Sequence, residues 1–179
     1  PLIVNYERNL FCMQFANQIA KEWDILYVSG EELLESSTLI DKQTRSIESA
    51  NRKNCDFINR LPCNEDEWKK IIVESYDKEK NHAYLKHRAI FYDSVTKLGI
   101  TPFYADATAN DCNMSYFKKL LSHVFISHAH KDGGTYRGDG SWGHEVDIIV
   151  KCEKGIAIIE KNRFATADKG KTGCELKIF

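Results

Sequence analysis

An α/β fold, a mixed sheet flanked by helices, is what this sequence predicts, and three observations carry the prediction. Short apolar runs, among them DILYVS, HVFIS and IAIIE, have strand length and β-branched content. Between them lie stretches whose apolar residues recur at helical spacing, Asn9–Trp23 being the clearest. The 179 residues are 42% hydrophobic, which suits one core, or one core and a small extra unit.

Leu2–Val4 is a short apolar start. In Asn9–Trp23, Leu10, Met13, Ile19 and Ala20 form a buried stripe with Phe11 and Phe15 beside it. Asp24–Ser29 then reads as a strand, so the first region is helical or Rossmann-like. No GxGxxG follows a strand, so a dinucleotide site is not indicated. Glu31–Asn54 is polar and reads as a linker or as a helix from Thr44 onward. Asn64, three residues before Glu67, caps a helix start. Asn81–Leu98 reads as an amphipathic helix that sets Tyr84, Phe91, Val95 and Leu98 against a core and stops at Gly99. A short helix is expected at Ser115–Leu121. Strands follow at His123–Ser127, Glu145–Cys152 and Gly155–Asn162, and Ala165–Phe179 receives no assignment. A boundary between Glu31 and Leu61, placed at residue 60, divides an accessory region 1–60 from a domain 61–179.

Charge narrows the function. With 25 basic and 26 acidic residues the chain is nearly neutral, which excludes a globally basic nucleic-acid coat protein and leaves room for a local basic patch. None of the six cysteines forms a CxxC pair, so zinc ribbons and thioredoxin-like sites have no support. The start lacks the pattern of a signal peptide, and no apolar run reaches membrane-spanning length. A cytoplasmic protein with reduced thiols and no membrane partner is the expectation.

GHEVDIIVKCEKGIAIIEKNRF, residues 143–164, holds three carboxylates inside a greasy hairpin: Glu145, Asp147 and Glu160. A two-residue turn at Glu153-Lys154 would set Asp147 opposite Glu160 and Glu145 opposite Asn162. Like charges opposed in a sheet repel, and burial adds to the conflict. A divalent cation such as Mg²⁺ or Mn²⁺ between them would offset both effects. A three-residue turn, Glu153-Lys154-Gly155, would instead set Lys161 across from Asp147 and turn Glu160 away; a bulge would reconcile the two.

The pattern resembles the PD-(D/E)xK superfamily, the restriction-endonuclease-like nucleases. Glu145-Val146-Asp147, an apolar strand, a turn, and Ile156–Ile159 running into Glu160 follow that order, after a helix and a strand. The family's lysine stands two residues after the glutamate. Here Glu160-Lys161-Asn162 puts Asn162 there, or Lys161 if a bulge re-aims it. The resemblance implies a restriction-endonuclease-like core in the second half of the chain and a metal-dependent nuclease acting on DNA or RNA. Asp147, Glu160 and Glu145 would hold the ions, and Lys161 or Asn162 would position the attacking water. It also implies a nucleic-acid partner and is compatible with a homodimer. In cap-snatching viral endonucleases a helix histidine joins the ligands, a role that falls here to His87, with Glu79 or Asp93 as further carboxylates. Lys131, Arg137, Arg163 and Lys169, with Lys161 and Lys171, supply phosphate-binding charge. Tyr136 and Trp142, in TYRGDGSWG, are placed to stack on a base.

Two rival readings stand beside this one. A catalytically degenerate nucleic-acid-binding or interaction module is favoured by the Glu160-Lys161-Asn162 departure. His128-Ala129-His130-Lys131-Asp132 matches the HxHxD start of a metallo-β-lactamase zinc site, although only His144 follows as a further histidine. The same stretch resembles the opening strand of TIR domains, which comes late here.

Overall fold

The computed structural model describes residues 2–4, 8–77, 79, 82–100, 121–127, 146–153, 155–166 and 171–177. In chain order the elements are β1 (Leu2–Val4), α1 (Arg8–Ala20), β2 (Ile25–Ser29), α2 (Ser37–Ser46), β3 (Cys55–Ile58), α3 (Glu65–Ile72), β4 (Val73–Asp77) and β5 (His82–Leu85). They continue with β6 (Ala89–Asp93), β7 (Ser122–Ser127), β8 (Ile148–Glu153), β9 (Ile156–Asn162) and β10 (Glu175–Lys177).

Eight strands form one sheet in the order β10-β9-β8-β1-β7-β6-β2-β3, and β4 and β5 pair as a separate ribbon. From β8 to β3 all neighbours are parallel, while β9 and β10 join antiparallel at one edge. The fold class is α/β with a mixed sheet, as predicted. The sheet also runs through the expected boundary at residue 60, because β1, β2 and β3 share it with β6 to β10.

Parallel strands at the centre of a sheet are covered on both faces, so they read as unbroken apolar runs. β2 and β6 are buried at every position. On one face Cys12, Met13, Ala16 and Ala20 of α1 pack on Ile25, Tyr27, Phe91, Val124 and Val150. On the other, Trp68 and Ile72 of α3 cover Leu26, Val28, Ile90 and Tyr92. This two-sided burial corrects the helix expected at Asn81–Leu98. Its apolar residues belong to β5, to β6 and to a turn that ends at Gly99, whose φ of 68° suits glycine. The helix expected from Thr44 forms earlier, over Ser37–Ser46, because the Ser36 hydroxyl accepts from the Leu39 amide and starts it. Asn64 caps α3 as expected, accepting from the Glu67 amide at 2.9 Å, while the Glu67 carboxylate accepts from the Cys63 amide at 3.0 Å. The helix expected at Ser115–Leu121 lies outside the described residues except for Leu121.

The three strands expected in succession are not neighbours throughout. β1 lies between β7 and β8, and it runs parallel to both. No helix among the described residues is long and apolar enough to cross a membrane.

Candidate functional site

The hairpin that carries the expected metal pair has a different register. Glu153 faces Ile156, which excludes both expected turns, and Gly155 just before Ile156 has φ 77°. Pairing continues to Val150 opposite Ile159, then slips at a bulge, so that Ile149 faces Lys161 and Ile148 faces Asn162. Glu160 is the extra residue of that bulge. Asp147 therefore stands beside Arg163, not Glu160. The Arg163 amide donates to the Asp147 carbonyl at 3.0 Å, and its guanidinium lies 3.2 Å from the carboxylate. Asn162 faces Ile148, not Glu145, and Lys161 donates to the Val146 carbonyl at 2.6 Å. Asp147 and Glu160 are both exposed.

His87 is also placed differently. It sits between β5 and β6, not on a helix, and its fully buried ring bonds Asp56 of β3 through Nε2 at 2.9 Å. β6, which His87 precedes, and β8 are three strand spacings apart, about 14 Å, and the His87 ring is turned the other way, to Asp56 on β3. His87 therefore does not share an ion with Asp147 or Glu160. Its surroundings form a charged cluster at the amino edge of the sheet, where Lys86 also bonds Asp56. Burial holds His87 below its ordinary range despite Asp56. Burial also pushes the Cys55 thiol up to about 11. For Asp56, burial acts upward, but the bonds from Lys86 and His87 outweigh it and the carboxyl lies below its ordinary range. Glu145, His128, His130, Asp132, Lys131, Arg137, Lys169, Tyr136, Trp142 and His144 lie outside the described residues.

The opposite, carboxyl edge gathers polar groups that the sequence reading did not put together. Of the eight buried polar or charged residues described, four sit here: Ser29 ends β2, Asp93 ends β6, Ser94 follows it, and Ser127 ends β7. Ser29 is the register partner of Asp93, and Asp93 that of Ile126. The Tyr27 hydroxyl donates to Asp93 Oδ2 at 2.9 Å. Glu31, two residues beyond β2 and half-buried, accepts from the Ser94 hydroxyl at 2.6 Å. A close backbone approach locks this arrangement. The Gly30 amide donates to the Asp93 carbonyl at 2.5 Å, and a Cβ at residue 30 would lie 2.6 Å from the Leu98 side chain. A larger residue there would have to displace the Leu98 side chain.

Two carboxylates thus lie at the carboxyl ends of adjacent parallel strands, Asp93 bonded by Tyr27 and Glu31 by Ser94. α1 begins at Arg8, three residues beyond the end of β1, so a helix N-terminus opens at this same edge. The strand order turns at β1, with β7, β6, β2 and β3 on one side and β8, β9 and β10 on the other. In open α/β sheets, ligands bind outside the carboxyl ends at such a turning point. Among the described residues no three His, Cys, Asp or Glu side chains gather into a group that could hold a metal. Two carboxylates are nonetheless the protein share that Mg²⁺ takes when phosphates and water complete its shell.

No protein-family model matches the chain, and no curated protein sequence matches it.

Of these groups, only Asp93 was a candidate from sequence, and then as part of a helix. The available signal was AIFYD itself, four apolar residues ending in an acid. A helix of that composition would bury the aspartate on one side only.

Proposed function

We propose that the chain binds the phosphates of a nucleotide together with Mg²⁺ or Mn²⁺ at the carboxyl edge of its parallel sheet. The observation that carries this reading is the placement of Asp93 and Glu31, the latter bonded by Ser94, at the carboxyl ends of the adjacent parallel strands β6 and β2, two and three strand positions from β1. In phosphate-loop nucleoside triphosphatases an aspartate contributes to Mg²⁺ binding, and the phosphates rest on a helix N-terminus after a glycine-rich loop. Asp93 is suited to the first role and the start of α1 to the second. Glu31 is suited to a metal-bound water, and Ser94 orients it.

The chain departs from that pattern in one respect. Only Asn5-Tyr6-Glu7 connects β1 to α1, and no G-x-x-x-x-G-K-S/T motif occurs in the sequence. Its one Gly-Lys-Thr, residues 170–172, leads into strand β10 rather than into a helix. The loop amides and lysine that stabilise a transferring phosphoryl group are therefore not supplied at β1. The proposed activity is accordingly binding of a metal–nucleotide complex, without rapid turnover.

Calorimetric titration of the protein with Mn²⁺–ATP tests this. Binding should be saturable, should require the metal, and should be lost in Asp93→Asn and Glu31→Gln. Binding that survives both substitutions overturns the reading.

A second reading, the metal-dependent nuclease or its catalytically degenerate relative, rests on the exposed acids Asp147 and Glu160 with Lys161 and Arg163 alongside. Mn²⁺-dependent cleavage of labelled single- and double-stranded DNA and RNA, lost in Asp147→Asn and Glu160→Gln, would support it. Nucleic-acid binding without cleavage would favour the degenerate module. Zinc binding that depends on His128 and His130 would instead favour the metallo-β-lactamase reading.

A further inference from the structure

We infer that His87 is a proton-operated latch: neutral, it holds the β4–β5 ribbon closed, and protonated at its second ring nitrogen, it lets the ribbon go. This stands apart from the nucleotide–metal reading above. The latch sits in the link Lys86-His87-Arg88 between β5 and β6, and each residue of the link is tied to a different element. The Lys86 amide donates to the Ile72 carbonyl at the end of α3, and the Arg88 amide to the Asp24 carbonyl just before β2, both at 2.8 Å. The Arg88 carbonyl accepts from the Ser122 amide, which opens β7, at 3.0 Å. The His87 ring reaches β3 through Asp56. β4 follows α3 directly and β5 runs into the link, so both ends of the ribbon meet at this contact. Val73 and Leu85, opposed at the base of the ribbon, pack on the α3 side of the core. β4 and β5 pair with each other, apart from the eight-stranded sheet, so the ribbon can detach without breaking a strand pairing of that sheet.

The ring's surroundings make it a switch. His87 is fully buried, whereas the Asp56 side chain is half-exposed, so their hydrogen bond joins the interior to the surface. Asp56 lies below its ordinary range although burial acts upward, so it is an ionised acceptor and His87 Nε2 carries the hydrogen. Nδ1 is then a bare lone pair, buried and with no hydrogen-bond partner among the described residues. Protonation would turn it into a charged donor that faces no acceptor, a cost that is relieved when the ring reaches water. Asp56 from β3 and Asp24 from beside β2 attract the charged ring, and Lys86 in the link repels it. Glu74 of β4 acts on Lys86, and Cys55 of β3 keeps its proton because burial pushes its thiol up to about 11. α3 and β7 meet the link through backbone groups. Burial outweighs the two carboxylates and holds the closed ring below its ordinary range. A proton therefore favours the state in which the ring has left Asp56, and that departure frees the link.

Amide hydrogen exchange across the neutral to mildly acidic range tests the latch in wild type and His87→Gln. Protection factors are corrected for the intrinsic rate at each pH, and the His87 ring is titrated by NMR. In wild type the amides of β4 and β5 should be less protected than those of β2 and β6, because the ribbon opens by itself. Their protection should be level above pH 6.5 and fall below it, by up to about 10-fold per pH unit, until the closed ring itself titrates. The ring should carry its hydrogen on Nε2 and titrate below 6.5. In His87→Gln the fall should vanish. Ribbon protection that ignores pH, that equals the protection of the sheet at every pH, or that still falls in His87→Gln overturns the latch. If His87→Gln does not fold, the wild-type ring decides. A midpoint at or above 6.5, or a hydrogen on Nδ1 in the neutral ring, overturns it.

Discussion

Asp93 and Asp147 each adjoin a buried apolar strand, yet the sheet treats them oppositely. Asp93 closes a central parallel strand, is 4% exposed, and takes a hydrogen bond from a fully buried tyrosine. Asp147 precedes a strand near the antiparallel edge, is exposed, and is met by Arg163. The acid in the centre is held in one environment by groups with no freedom to leave it. The acid at the edge belongs to a solvent-screened surface pair, worth at most about 1 kcal/mol. A carboxylate in an apolar run thus carries different chemistry depending on whether its strand is covered on both sides.

The largest effect that would sharpen this contrast is in the layer beneath Asp93. Phe91→Ala removes a fully buried ring stacked on Tyr27 and edge-on to Phe15, and should cost about 3–5 kcal/mol in chemical denaturation. A loss below about 1 kcal/mol would mean that the central layer is not the rigid support described. Next comes the site. Asp93→Asn should weaken Mn²⁺–ATP binding by at least about 10-fold, and Asp147→Asn should leave it unchanged. The reverse result would move the metal to the hairpin.

A cap separates local from tertiary stabilisation. Asn64→Ala removes the acceptor for the Glu67 amide and should cost about 1 kcal/mol, with no effect on nucleotide binding. The amino edge yields a pH test. Burial holds His87 below its ordinary 6.5, so as pH falls the unfolded chain takes up this proton first. The resulting stability is intact above pH 6.5 and declines below it. Asp56 lies below its ordinary 3.8, so its contribution is intact above 3.8 and declines only in stronger acid. His87→Gln should abolish the upper step of a stability–pH curve and keep the lower one. The smallest effect belongs to the edge pair, where Asp147→Asn should change stability by no more than about 0.5 kcal/mol.

α1, β2, β7 and β9, the cap at Asn64 and the α/β class were legible in the chain itself. Each depends on a local pattern: helical spacing in Asn9–Trp23, the unbroken run ILYVS, an asparagine three residues before a glutamate. β6 was not legible as a strand, because a segment buried on both faces has no alternation to betray it, and its apolar residues fit a helical stripe as well. The hairpin's register was not legible either. Turn placement and the bulge at Glu160 depend on how β8 seats against β1 and β9 against β10, and a slip of one residue reverses which side chains meet. The sequence by itself determined which residues are apolar, where helices begin, and that acids stand within apolar runs. Only the tertiary structure decided which acids share an edge, because Glu31 and Asp93 are 62 positions apart in the chain, and only the parallel pairing of β2 with β6 brings them together.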